Sequence, residues 1–260
     1  MFPPTSLLTC PDGDDPLTTE QVDEVQLLKC TANPTGGGSF ALYFDGKVSS
    51  TISAKATAAS LEQALETIDG IGDVTVTYSD GITYACTTAT ANVISVTFTT
   101  SFGSLPALVP YTDDLTPDGS SITVAADGVT SMTSSLGTRY YSVKGTKENT
   151  ACANRGTCET STGTCQCYTD NGDTFASSNS LGGAGVRGDC GYAAATISNC
   201  PGETSCSGHG TCAGSPTYLC SCSDGWTGGN CNERLCPTGG SWFAYPQADE
   251  SAHKTLAECR

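Results

Sequence analysis

The sequence predicts a mainly β protein: a β-sandwich-like domain with one helix, followed by small disulfide-rich modules. Three observations carry that expectation. The 260 residues are enough for two or more domains. The 16 cysteines are unevenly placed, with only Cys10, Cys30 and Cys86 in the first 150 residues and 13 between Cys152 and Cys259. The cysteine-poor part alternates apolar and polar residues with a period of two, as half-buried strands do. An ordinary hydrophobic core therefore serves the first part, and cross-links serve modules too small to build one.

The β domain spans residues 17–145. "SFALYFDGKVSSTIS" sets Phe40, Leu42 and Phe44 on one face, turns at Asp45-Gly46 and returns through Val48 and Ile52, a hairpin signal. "ATAASLEQALETIDG" puts Leu61, Leu65 and Ile68 on one helical stripe that stops at Gly70. "DVTVTYSDGITYAC" alternates like a second hairpin, "NVISVTFTT" buries Ile94, Val96 and Phe98, and "SSITVAA" is the last strand. Thr and Ser occupy the solvent faces, as suits a sandwich with one helix packed on it. Cys30 and Cys86 both end expected strands.

Charge and composition narrow the function classes. The net charge is −16, with 11 Lys+Arg against 27 Asp+Glu. A nucleic-acid binder carries a basic stripe, and an anionic membrane surface repels such a chain. No run approaches a membrane span. A dense, even cysteine set fits an oxidising extracellular compartment. "MFPPTSLLT" has no basic n-region and no apolar h-region, so a removed signal or a longer parent chain is expected.

From Cys200 the order is C-x5-C-x5-C-x7-C-x-C-x8-C, ending "CSDGWTGGNC". Spacing alone leaves 15 connectivities open for six cysteines. A C-x-C pair fourth and fifth, then G-W-x-G before the sixth cysteine, resembles the EGF-like pattern. That resemblance implies pairing first–third, second–fourth and fifth–sixth: Cys200–Cys212, Cys206–Cys220 and Cys222–Cys231. Upstream, Cys152-x5-Cys158-x6-Cys165-x-Cys167 follows the same order, with Cys190 closing it after the insertion "YTDNGDTFASSNSLGGAGVRGD". This second module has cysteines two to six and lacks its first.

Cys10 is the expected missing cysteine. "LLTCPDG" at the start parallels "ERLCPTGG" after the sixth cysteine of the complete module. If Cys10 and Cys236 are equivalent, each opens the module that follows it, and a long segment separates it from the second cysteine. The EGF phasing then implies Cys10–Cys158, Cys152–Cys165 and Cys167–Cys190. Cys30 and Cys86 are left for each other, and Cys236 and Cys259 for each other or a further module. The domains expected are thus 1–16, a linker carrying the first cysteine; 17–145; an EGF-like module at 146–192 with a long last loop; a second at 193–235; and the start of an incomplete module at 236–260.

Several motifs are candidate sites. "CSGHGTC" could hold a metal, but zinc sites use paired C-x2-C or C-x2-C with H-x3-5-H, and the only histidines are His209 and His253. His209 reads as a polar residue in a glycine-flanked turn, and no metal or cofactor is expected. "GAGVRG", Gly183 to Gly188, lacks the strand and helix that a dinucleotide loop needs. No G-x-S-x-G elbow or Walker loop occurs, and enzyme activity is not expected. "DGDD", Asp12 to Asp15, lacks the spacing of a calcium loop and reads as a solvated turn. Arg187, Gly188 and Asp189 form an RGD tripeptide, a candidate adhesion motif on the inserted loop. No N-x-[ST] acceptor exists. The EGF resemblance marks Thr157 and Thr211, one residue before each third cysteine, as candidate O-glycosylation sites.

"CPDGDDPLTTEQVDEVQ", "VISVTFTTSFGSLP", "SVKGTKENTACANRGTC", "GVRGDCGY" and "CPTGGSWFAYP…AEC" together resemble the large secreted EGF-repeat glycoproteins of heterokont algae. That family includes the sexually induced type and the tubular flagellar-hair (mastigoneme) proteins. The resemblance implies a non-enzymatic, O-glycosylated subunit at the cell or flagellar surface. Its partners are other copies or related extracellular subunits, with which it polymerises into a filament. The alternative expectation is a cell-adhesion or mating-recognition ectodomain.

Overall fold

Alternate burial of side chains builds two sheets in the cysteine-poor part of the chain. The computed structural model describes residues 8–31, 38–87, 92–117, 119–169, 174–235, 238–240 and 256–258. They fall into two units. One comprises Met1–Thr18, with the short strand β1 (Asp12–Gly13), together with Ala151–Ser178 and Ala184–Arg260. The other is Thr19–Thr150 with Asn179–Gly183.

In the second unit the elements run β2 (Val25–Thr31), β3 (Ser39–Phe44), β4 (Lys47–Val48), β5 (Ile52–Ser53), α1 (Ala58–Glu66), β6 (Val74–Tyr78), β7 (Cys86–Thr87), β8 (Val93–Phe98), β9 (Val109–Tyr111), β10 (Ser121–Ala125), β11 (Ser131–Thr133) and β12 (Arg139–Tyr141). The unit reaches β13 (Thr150–Ala151) at its end. One sheet has the antiparallel order β10-β2-β8-β6, with β7 parallel to β2 where Cys30 faces Cys86. The Cys30–Cys86 disulfide staples that parallel pair at a Cα separation of 4.7 Å. The other sheet centres on β3, paired with β4, β5 and β9. The β3–β4 turn is Asp45-Gly46, both with positive φ, the backbone an Asp-Gly hairpin turn supplies.

Phe40, Leu42, Phe44, Leu61, Leu65, Val76, Ile94, Val96 and Phe98 share one core. The rings of Phe44 and Phe98 stack with centroids 5.7 Å apart. α1 is the one α-helix among the described residues. Thr57 caps it by accepting from the Ser60 N–H, and Leu61 and Leu65 are its buried stripe. Ile68 is buried just past its end. A smaller cluster of Leu27, Val93, Ala125 and Met132 lies on the other face of the first sheet, since Leu27 and Leu28 point opposite ways along one strand.

Three sequence expectations change here. β6 does not form a hairpin with the residues after Asp80; it pairs with β8, and the following chain returns as β7 beside β2. The return strand after Asp45-Gly46 is broken, so Val48 is exposed and Ile52 buried. β10 is followed by a further hairpin, β11–β12, whose turn is held by Asp80: its carboxylate accepts from the Ser134 and Ser135 hydroxyls and the Leu136 N–H.

Two buried polar side chains anchor the 103–108 loop. The Glu24 carboxylate accepts from the Leu105 N–H at 2.8 Å. Gln26 accepts from the Leu108 N–H at 2.8 Å and donates to the Pro106 carbonyl and to Glu24. Every buried polar group in this cluster therefore has a partner, the condition on which burial is tolerated.

The first unit is built of short hairpins. They are β14 (Gly156–Glu159) with β15 (Thr164–Cys167), β16 (Phe175–Ala176) with β17 (Tyr192–Ala193), β18 (Gly210–Cys212) with β19 (Cys220–Cys222), and β20 (Trp226–Thr227) with β21 (Glu233–Arg234). β22 (Thr238–Gly240) pairs with β23 (Leu256–Glu258). Cys236 and Cys259 lie outside the described residues. Over the described residues the fold is mainly β, with one α-helix and disulfide-rich small modules.

Candidate functional site

Six disulfides organise the first unit into two modules of the same connectivity. In the first module the bonds are Cys10–Cys158, Cys152–Cys165 and Cys167–Cys190. In the second they are Cys200–Cys212, Cys206–Cys220 and Cys222–Cys231. The segment carrying Cys10 is threaded along its module by backbone bonds: the Leu8 N–H donates to Thr160 O and the Cys152 N–H to Pro11 O, both at 2.9 Å. Cys10 is separated from Cys158 by 148 residues, so the module is one piece in space and two pieces in sequence.

The two modules match between their second and third cysteines and at the closing cysteine. Cys152 and Cys206 both have left-handed φ, 55° and 52°, and so do Ala153 and Ser207, at 50° and 51°. Cys190 and Cys231, which close the last loops, have φ of 61° and 57°. Gly156 and Gly210 sit at equivalent positions in the G-T-C triplets. A Cβ at Gly156 would lie 2.7 Å from the Cys190 sulfur, and one at Gly210 would lie 2.8 Å from the Cys231 sulfur. Each glycine is needed because the last disulfide and a carbonyl of the facing strand, Gln166 O or Ser221 O, leave no room for a Cβ.

One position differs in use between the modules, and it defines the site. Arg155 and His209 are equivalent and share backbone angles, φ −119° and −116° with ψ 21° in both. Arg155 is 1% exposed. Its Nε donates to Asp15 Oδ1 at 2.9 Å, and its Nη2 lies 2.9 Å from Asp15 Oδ2, a bidentate pair with a carboxylate that is itself 2% exposed. The remaining donors reach into the other module, to the carbonyl oxygens of Tyr218 at 3.0 Å and of Thr217. The Phe175 ring lies 5.2 Å from the guanidinium carbon. A single buried cation thus binds the threaded N-terminal segment, the hairpin of the first module and the loop of the second. The charge is tolerated because it is paired and its donors are used.

In the second module His209 stacks on Trp226, with centroids 3.5 Å apart and planes within 5°. The Arg234 guanidinium lies 4.7 Å from the same ring centre. The sequence reading of His209 as a bare turn residue missed this stack; the G-W-x-G motif was the signal for it. Cys206 and Cys212 spend their sulfurs in disulfides, so "CSGHGTC" offers no thiolate.

The RGD expectation is corrected by burial. Asp189 is fully buried, with its carboxylate accepting from the Ser178 N–H at 2.8 Å, the Ser178 hydroxyl at 2.6 Å and the Gly191 N–H at 3.1 Å. Arg187 Nε donates to Asp12 O and lies 3.6 Å from Asp189. An adhesion motif must present its carboxylate to a partner, and this one closes a loop. In "DGDD" Asp15 is likewise consumed by Arg155. Thr211 is exposed and Thr157 half-buried, each on its module's hairpin, opposite Ser221 and Gln166.

No protein-family model matches the chain, and no curated protein matches it in sequence. Seven disulfides among the described residues place the protein in an oxidising, extracellular setting. No described helix is long and apolar enough to cross a membrane.

Proposed function

We propose that this chain is an extracellular structural subunit of a filament, of the flagellar-hair (mastigoneme) type that its sequence motifs resemble. The observation that carries the reading is the Arg155 knot. Tandem EGF-like modules joined by a flexible linker would bend at the joint. Here the joint is filled by a buried guanidinium that bonds carbonyls of the second module while paired to Asp15 of the first. A stiff tandem, cross-linked by disulfides and interrupted by a β-sandwich insert, suits a load-bearing subunit. A strongly acidic surface rich in Ser and Thr keeps such a subunit from non-specific association. O-glycans at Thr211, and at Thr157 when its hairpin is accessible, would extend that surface. No chemistry beyond assembly is assigned to it.

Electron microscopy of the purified, oxidised protein tests the proposal. Periodic filaments, lost in Arg155→Met, support it. A protein that never assembles but binds cells saturably would favour the adhesion reading instead, through the β domain, since Asp189 of the RGD tripeptide is buried.

A further inference from the structure

We propose that the second disulfide module binds a neutral sugar unit, in a pocket between its first loop and its closing cysteine. The inference does not depend on the filament reading. The pocket measures about 450 Å³ and is lined by Gly202, Glu203, Thr204, Ser207, Asn230 and Asn232. That volume lies within the range of small-ligand sites. Among the described residues no apolar side chain lines it.

The first module shows what is different here. Asp189 and Asn230 each precede the closing cysteine of their module, and both make the same turn. Asp189 Oδ1 accepts from the Gly191 N–H at 3.1 Å, and Asn230 Oδ1 accepts from the Asn232 N–H at 3.2 Å. In the first module the long last loop brings Ser178 onto Asp189, and its N–H and hydroxyl both donate to that carboxylate. In the second module the last cysteine pair is 9 positions apart, against 23 in the first. Among the described residues nothing takes the place of Ser178. Asn230 is 9% exposed, yet only its Oδ1 is engaged. A buried amide ordinarily has its donors taken up, and the Asn230 donors are left to the pocket.

The polar groups select the ligand. Because the Asn232 N–H holds Oδ1, the atom that remains is Nδ2, which can only donate. That disfavours a metal cation: the pocket has one carboxylate, Glu203, and calcium takes about six to eight oxygens. An anion is repelled by Glu203 and by a net charge of −16. An apolar ligand gains nothing from these walls. A sugar ring suits them, since each of its hydroxyls accepts and donates. It can accept from Asn230 Nδ2 and donate to the Glu203 carboxylate, with the Thr204 and Ser207 hydroxyls serving either way. Among the described residues the side chains of Glu203, Thr204, Ser207 and Asn232 make no hydrogen bond within the protein, so the whole set is available.

NMR titration of the full, disulfide-intact chain with the methyl glycosides of glucose, mannose, galactose and fucose tests this. At least one should shift the side-chain amide signals of Asn230 and Asn232 saturably. Asn230→Asp keeps the turn, as Asp189 does, but puts an acceptor where the donor was; it should weaken that sugar about tenfold. Glu203→Gln, at an exposed position, should also weaken it and leave the fold intact. The same sugar linked to threonine in a peptide identifies the source. Tighter binding than the methyl glycoside points to a protein-borne glycan, equal binding to a free or terminal sugar, and either supports the site. Three results overturn the proposal: no saturable shift with any of the four glycosides, an Asn230→Asp variant that binds like wild type, or amide shifts produced by calcium chloride or the sugar-free peptide in place of the sugar.

Discussion

The β unit and the disulfide unit solve the same problem by different means. The β unit places Phe40, Leu42, Phe44, Ile94, Val96 and Phe98 in one continuous core and uses a single disulfide. Among its described residues the disulfide unit has only small apolar clusters, made largely of cysteine, and relies on six cross-links and one buried ion pair. Burial scales with the size of a unit, and a module of about 40 residues cannot bury enough apolar surface to fold on that basis alone. The comparison shows which kind of damage each unit withstands.

The largest difference should appear on reduction. Losing a native disulfide from a small module costs about 2–5 kcal/mol, and six such losses exceed the roughly 5–15 kcal/mol that stabilises a whole domain. Hydrogen exchange in the presence of a reductant should show the disulfide unit losing protection while strands β2, β8 and β6 keep theirs. Equal loss in both units would break the contrast.

Next comes Arg155. Arg155→Met takes the cation from the buried Asp15 carboxylate and should cost about 3–5 kcal/mol, read as a lowered midpoint for exchange or proteolysis of the disulfide unit only. Arg155→Met/Asp15→Leu should recover most of that, because the cost belongs to a buried carboxylate that has lost its counter-charge. The β-unit counterpart is Phe98→Ala, expected to cost about 3–5 kcal/mol through its cavity and to leave the disulfide modules protected.

The smallest effect is a matter of pH. The Tyr78 hydroxyl donates to Ala56 O at 3.0 Å, and burial raises its pKa well above the usual tyrosine value. Below about pH 10 the phenol is neutral folded or unfolded, so it adds no slope. Above that the unfolded chain ionises first, and stability of the β unit falls as pH rises toward the folded pKa. Tyr78→Phe should flatten this alkaline slope; an unchanged slope would assign it to other groups.

Local pattern made much of this legible. Alternation located β3 and β8, the Asp45-Gly46 pair located its turn, and the Leu61–Leu65 stripe located α1. What alternation does not encode is which strand pairs with which. The run after Asp80 looks like the partner of β6 because it follows it, but β8, which starts only at Val93, supplies the complementary apolar face. The β11–β12 hairpin is short and polar and carries too weak a period to read. Arg155 and Asp15 were illegible for another reason: charged residues are ordinarily solvated, and only the fold brings 15, 155 and 218 together. Asp189 shows the converse, since a tripeptide that reads as a surface signal is an internal clamp.

Peptide mapping of the non-reduced protein shows whether one disulfide module closes across an inserted β domain and is repeated by the module that follows. The expected result is a peptide containing Cys10 linked to one containing Cys158, beside Cys152–Cys165 and Cys167–Cys190. Cys10 bonded to any other cysteine would contradict it.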